Sequence, residues 1–249
     1  MSRYNPFLMV AMLLAVCTSV LALPLQNPPK TETGILFRTY AYKGEDRKYA
    51  VYVPRNYDAT KKWPMIVFLH GGGECGTDGA KQAAVGLPPA VLLNSEKWPF
   101  IILIPQKPVA SANWEAYDDM IMGMMDVEEK DYNIDKTMLY LTGLSQGGHG
   151  SWMVGAAHPK LWAAIAPICG YGDPTKVGAP LKEMPIWAFH GEADNVVNPE
   201  QSKAFVKAVM DAGGTAKLTT YPGVGHNSWD NAYRNEKLWD WFLEHKREQ

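Results

Sequence analysis

Ser145 lies in Gly143-Leu144-Ser145-Gln146-Gly147, a G-x-S-x-G spacing. A serine hydroxyl is a weak nucleophile at neutral pH. It needs a general base within hydrogen-bond reach and a third group to orient that base. The flanks suit a sharp strand-to-helix turn that would hold the hydroxyl clear of a sheet. Met138 to Leu141 is rich in strand formers, and Gln146 to Ala157 has helical length. Strand and helix close on each other in such a turn, so Gly143 and Gly147 have a steric reason to be glycine. Glycine-rich turns with a serine are common, and the assignment depends on whether the chain supplies the partners.

Six histidines are available as the base. His70 opens a glycine run and reads as a loop-shaping residue. His149 and His158 fall on or after the helix that follows Ser145, His190 ends a strand, and His245 is near the C-terminus. His226 differs, because Tyr221-Pro-Gly-Val-Gly-His226 is a Gly/Pro-bracketed loop between the last strand and the last helix. A base at the carboxyl end of a strand can lean over the nucleophile. For the acid, Asp194 follows the strand Ile186 to Phe189 and is the first choice, since catalytic groups gather at the carboxyl ends of such strands. Asp173, after the preceding strand, is the alternative, and Glu192 is a third. The order Ser145, Asp194, His226 is that of a serine–acid–histidine triad.

A developing oxyanion needs backbone N–H donors. Gln146, at the start of a helix whose dipole also favours negative charge, can supply one. The run Gly71 to Gly73, with Gly72 and Gly73 as the expected donors, can supply the other, since glycine lets the backbone approach a substrate. The Lys-Ser/Thr of a phosphate-binding loop is missing from this run. Trp114 and Trp229 are candidate walls of a substrate pocket, as aromatics give planar apolar surfaces. Structural packing is the competing reading for Trp229.

These groups need a frame. Ile35 to Tyr42 and Tyr49 to Val53 read as an antiparallel pair around the turn Lys43-Gly44-Glu45-Asp46. Met65 to Leu69, Phe100 to Ile104 and Met138 to Leu144 are continuous apolar runs, as strands buried on both faces would be. Ala163 to Ile168, Ile186 to Phe189 and Lys217 to Thr220 are further strands. Leu87 to Ser95, Tyr117 to Lys130, Gln146 to Ala157, Pro199 to Ala212 and Ser228 to Glu244 are expected helices. Alternating strands and helices predict an α/β fold: about eight strands, mostly parallel, with helices on both faces. Only Cys169 to Pro185 separates two of the later strands, too little for a large lid.

His70-Gly-Gly-Gly-Glu74, Gly143-Leu-Ser-Gln-Gly147, His190-Gly-Glu-Ala-Asp194 and Gly223-Val-Gly-His226, in this order, look like the α/β-hydrolase motifs of polyhydroxybutyrate depolymerase-like and prolyl-oligopeptidase-like esterases. The resemblance runs from about Tyr49 to the C-terminal helix. It implies the α/β-hydrolase fold and the triad, and a substrate among carbohydrate esters, polyesters or peptides.

Composition sets the remaining expectations. The 249 residues are 47% hydrophobic and 20% charged, enough for one large globular domain. A net charge of −2 gives no reason to expect a nucleic-acid partner. Met1 to Ala22 reads as a signal peptide, with Arg3, an apolar run from Phe7 to Val16 and Val20-Leu21-Ala22 before a cut. The domain then spans residues 23–249, secreted or periplasmic, with no transmembrane segment in the mature chain. Leu14-Ala15-Val16-Cys17 resembles a lipoprotein box, although Val16 stands where a small residue is usual, so plain secretion is favoured over lipid attachment at Cys17. Cys75 and Cys169 are both expected at the carboxyl edge of the sheet, where loop reach decides whether they pair; two free thiols are favoured. No metal site and no cofactor are expected. The leading reading is a secreted serine esterase acting on a small-molecule or polysaccharide ester. A serine peptidase with the same triad is second, and a non-catalytic binding module on a hydrolase scaffold third.

Overall fold

The apolar runs pair into a single sheet of eight strands, in the order β1-β2-β4-β3-β5-β6-β7-β8. The computed structural model describes residues 31–248, and from Glu32 onward these form one compact unit. β1 (Gly34–Tyr42), β2 (Glu45–Val53) and β4 (Ile101–Pro105) pair antiparallel. From β4 onward, β3 (Trp63–Leu69), β5 (Ile134–Leu144), β6 (Ala164–Ile168), β7 (Ile186–Gly191) and β8 (Ala216–Tyr221) run parallel.

Period-two alternation along the central strands builds two cores, one on each face. Val67 and Leu69 join Met120, Met124, Trp152 and Phe205 on one side. Those residues come from α2 (Asp118–Asp131), α3 (Gln146–Ala157) and α5 (Glu200–Asp211). Ile66 and Phe68 face the other way, against Leu87, Val91, Phe100 and Phe242. That side is covered by α1 (Leu87–Leu93), α6 (Trp229–Tyr233) and α7 (Glu236–Glu244). Burial on both faces is why the central strands carry no polar alternation.

Three elements differ from the expectation by more than two residues. β2 begins at Glu45 rather than Tyr49, because Glu45 and Asp46 pair with Tyr42 and Ala41 in the ladder instead of standing in the turn. β5 begins at Ile134 rather than Met138, because Trp63 pairs with Ile134 across a register shift in β3. Asp135 and Thr137 within that extension bond to each other and gave no apolar signal. The single helix expected over Ser228 to Glu244 is two, α6 and α7. Asn235 takes extended backbone between them and caps α7, its side chain accepting from the Lys237 N–H at 3.1 Å.

Between β6 and β7 stand only a 3-10 turn, Pro174–Lys176, and the one-turn helix α4 (Gly178–Leu181). Met1 to Ala22, with the alternative at Cys17, lies outside the described residues. Among the described residues no helix is long and apolar enough to cross a membrane.

β5 lies between β3 and β6, and its carboxyl end delivers Ser145 into α3. A Cβ on Gly143 would lie 2.4 Å from Gly147 O, and one on Gly147 would lie 1.9 Å from Leu69 O. Both obstacles are backbone and cannot swing aside. Gly147→Ala should therefore cost more than about 3 kcal/mol or prevent folding, beyond ordinary overpacking. Gly73→Ala, whose Cβ would meet nothing within 4 Å, should melt close to wild type. Thermal melts followed by circular dichroism check this; equal melting temperatures would contradict the steric account.

Candidate active site

The turn at Ser145 is held in a rare backbone conformation, φ 54° and ψ −114°. Such a geometry costs a non-glycine residue about 1–3 kcal/mol and persists only when its surroundings enforce it. Here the Ser145 N–H donates to Ile168 O at 3.0 Å, tying the turn to β6. The hydroxyl Oγ stands 2.9 Å from His226 Nε2, and His226 Nδ1 stands 2.7 Å from Asp194 Oδ2. Neutral His226 fits both contacts with Nδ1–H donating to the carboxylate and Nε2 accepting from the hydroxyl.

Asp194 and His226 come from the loops after β7 and β8, and those loops are laced together. The Glu192 N–H donates to Tyr221 O at 3.0 Å and the Ala193 N–H to Val224 O at 2.9 Å. The Asp194 side chain is fully buried and well satisfied. Oδ1 accepts from the Val196 and Val197 amides, each at 2.9 Å. Oδ2 accepts from His226 and also lies 3.1 Å from His190 Nε2. Burial pushes the carboxyl upward, but the bonds from His226 and the two amides outweigh it and hold it below the usual carboxylate range. It is therefore ionised at neutral pH.

The other two acids lie elsewhere. Asp173 is exposed and caps the turn at Pro174, accepting from the Thr175 N–H and hydroxyl. Glu192 accepts from the Thr220 hydroxyl at 2.7 Å.

The loop after β3 is pinned by His70 and Lys107. His70 Nδ1–H donates to Gly71 O at 2.6 Å, and Nε2 accepts from the Lys107 N–H at 3.1 Å. Burial lowers the His70 pKa to about 4, so the ring is neutral. The buried Lys107 ammonium donates to Val109 O, Ala112 O and Cys75 Sγ at 2.8, 2.9 and 3.2 Å. Gly72 borders the same cavity as Ser145 and Gln146, while Gly73 is exposed and is not among the residues that line it.

The two tryptophans serve differently from the expected pocket walls. Trp114 is completely buried, its indole N–H donating to His70 O at 3.0 Å and its ring set edge-on to His70. It supports the glycine loop from beneath and cannot touch a substrate. Trp229 is half-buried with its ring edge-on to His226 at 5.4 Å, so it bears on the base and is not among the cavity's lining residues.

Cys75 and Cys169 are unpaired. β3 and β6 are indeed separated by one strand, but Cys75 is drawn to Lys107, which follows β4 on the far side of β3. Cys169 is buried, and its Sγ lies within 4.8 Å of ligating atoms of Asp194 and His226.

The cavity over Ser145 has a volume of about 540 Å³ and is lined by Gly72, Ala110, Gln146, Tyr171, Val196, Val197, Asn198 and Gln201. None of these side chains is charged. Sequence reasoning missed Ala110, Tyr171 and the wall of Val196, Val197, Asn198 and Gln201. The signal was available in part, since Tyr171 comes three residues after the carboxyl end of β6, where site residues collect.

A family model of the dienelactone hydrolase family matches residues 108–243. A bifunctional acetylxylan esterase/xylanase of Neocallimastix patriciarum is 28% identical over 68% of this chain and 24% of its own length. Poly(3-hydroxyalkanoate) depolymerase C of Paucimonas lemoignei is 30% identical over 65% of this chain and 45% of its own. The chain thus spans between about a quarter and a half of the length of these curated relatives. Among solved structures, a thermostable esterase superposes with TM-score 0.74 at 32% identity, covering 86% of this chain and 63% of that one. A ferulic acid esterase of Anaeromyces mucronatus superposes with TM-score 0.68 at 20% identity over 88% and 95%, a likeness of fold. By its matched segment, its sheet and its strand-to-helix turn, this chain belongs to the dienelactone hydrolase family and has the α/β-hydrolase fold.

Proposed function

We propose that this protein is a secreted serine esterase that hydrolyses carboxylic esters through an acyl-enzyme, with acetyl or feruloyl groups on carbohydrate as its natural targets. The observation that carries the reading is the hydrogen-bonded line from Ser145 Oγ through His226 to Asp194, at 2.9 and 2.7 Å, beneath an open uncharged cavity.

The chemistry follows from the donors and acceptors. His226 Nε2 takes the Ser145 proton as Oγ attacks the ester carbonyl. Asp194 keeps Nδ1–H pointed at itself and stabilises the imidazolium that forms. Gln146 opens α3 and Gly72 opens the 3-10 turn Gly72–Glu74, so neither N–H has an acceptor within its own helix. These two amides are the oxyanion donors in this reading, with Gly73 next in line. His226 then returns the proton to the departing alcohol, and water repeats the sequence to free the acid.

Substrate scope follows from shape and charge. The cavity offers the Tyr171 ring and the amides of Asn198, Gln201 and Gln146, which suit an uncharged, hydroxyl-rich or aryl ester. Nothing between β6 and β7 is large enough to sequester a long acyl chain. The acetylxylan esterase relatives and the ferulic acid esterase fold neighbour support the same substrate class. Export is supported by the pattern of Met1 to Ala22.

A substrate panel tests this. Aryl and short-chain esters and acetylated or feruloylated xylan should be turned over, with rates falling steeply for long acyl chains and no jump above the critical micelle concentration. Efficient cleavage of triglyceride emulsions, or of peptides with esters untouched, would overturn the reading. Ser145→Ala should lose on the order of 10⁴-fold in kcat with the fold intact. Asp194→Asn should lose roughly 10³–10⁴-fold, because the histidine loses its orienting acceptor. Asp173→Asn, at an exposed cap, should stay within about twofold, as surface changes usually do. A dead Asp173→Asn beside an active Asp194→Asn would reassign the acid.

A further inference from the structure

Asp194 meets a second histidine. His190 is on β7 and fully buried, and its Nε2 lies 3.1 Å from Asp194 Oδ2, the oxygen that also receives His226 Nδ1. The same Nε2 lies 3.0 Å from Val197 O. Both neighbours are acceptors, so Nε2 carries a proton and donates to them. On the other side of the ring, Nδ1 lies 2.7 Å from Ser202 Oγ on α5, itself 1% exposed. In the neutral ring Nδ1 is the acceptor, and the Ser202 hydroxyl donates to it. Burial lowers the His190 pKa, outweighing the bonds to Val197 O and Asp194, which keeps the ring neutral. An unbroken chain of hydrogen bonds thus runs Ser202, His190, Asp194, His226, Ser145.

We propose that His190 is a positioning residue of the triad: a neutral N–H donor, set in its tautomer by the two acceptors at Nε2 and anchored at Nδ1 by Ser202, that fixes the Asp194 carboxylate and moderates its pull on His226. The proposal rests on the serine-esterase reading above.

Two consequences separate this role from scaffolding. The first is orientation. The Val196 and Val197 amides hold Oδ1, and His190 is the second donor on Oδ2, so its loss leaves that oxygen to His226 alone. The second is electrostatic. A donor on Oδ2 spreads the carboxylate charge, and without it the imidazolium is held more tightly. The enzyme then needs a higher pH to free its base, and the acidic limb of kcat/KM moves upward. The titratable groups facing this carboxylate are His190 on β7, His226 after β8 and Cys169 at the end of β6. Burial pushes the Cys169 thiol up to about 12, leaving it uncharged through the relevant range. Ser202, on α5, does not titrate.

The test compares His190→Gln, His190→Asn and Ser202→Ala on an aryl acetate, with rates expressed per mole of folded enzyme from circular dichroism. A glutamine amide nitrogen can reach the place of Nε2–H, whereas the shorter asparagine amide cannot. His190→Asn should lose on the order of 10-fold in kcat, the worth of a hydrogen bond to a charged group, with little change in KM. Its acidic limb should rise by roughly half a unit, a modest change in charge stabilisation. His190→Gln should recover most of kcat and the wild-type limb. Ser202→Ala should lose kcat and shift the limb in the same direction, because the ring loses its anchor at Nδ1 and no longer holds Nε2–H on Oδ2. Equal impairment of Gln and Asn with an unmoved limb would reduce His190 to scaffolding and overturn the proposal. Wild-type kcat and limb in Ser202→Ala would overturn it as well, even where His190→Asn fails to fold. Retained turnover in Ser145→Ala would instead sink the triad reading, so the two failures are distinguishable.

Discussion

β5, α3 and the end of β3 approach so closely that a methyl group on Gly147 would lie 1.9 Å from Leu69 O. The rest of the site is arranged around that contact. It leaves room for a turn and no room for side chains, so the chain reverses at Ser145 with φ 54° and the hydroxyl projects over the sheet's carboxyl edge. The glycine loop begins one residue beyond Leu69, at His70, and is thereby brought beside Ser145. The loops after β7 and β8 complete the edge with Asp194 and His226. Strain at the turn is tolerable because the Ser145 N–H bonds to β6 and the helix behind it is buried almost throughout.

Electrostatics take over where sterics end. A buried carboxylate is costly unless its lone pairs are occupied, and Asp194 has neighbours on both oxygens. The buried ammonium of Lys107 is met by two carbonyls and a thiol. His70 and His190 are both driven towards the neutral form by burial and serve as fixed dipoles rather than charges. In such a setting donors and acceptors keep their directions through a reaction, which is the condition for stabilising a charge that appears only in the transition state.

Much of this was legible in the sequence, and the reasons are physical. The strands at the centre of the sheet are buried on both faces, so Met65 to Leu69 and Phe100 to Ile104 announced themselves as continuous apolar runs. The contacts of Ser145, His226 and Asp194 were readable because the turn's glycines are local and because His226 and Asp194 follow strands whose carboxyl ends share one edge. What local patterns do not encode is where a loop residue points. Trp114 looked like a pocket wall from its position, yet a long-range bond to His70 O draws it beneath the loop. Asn235 interrupts an amphipathic stretch whose apolar period continues unbroken on both sides, so periodicity alone joined α6 to α7. The Ser202–His190–Asp194 contacts and the Tyr171 wall exist only once β6, β7 and α5 are packed.

If Ser145 forms a covalent intermediate, the mass of the enzyme caught during turnover records it. Acid-quenched reaction with an aryl acetate, followed by peptide mass spectrometry, should find an acetyl group on the peptide carrying Ser145. It should disappear as the substrate is exhausted. An acetyl group on Cys75 or Cys169 that turns over, or turnover with no covalent adduct on Ser145, would contradict the account.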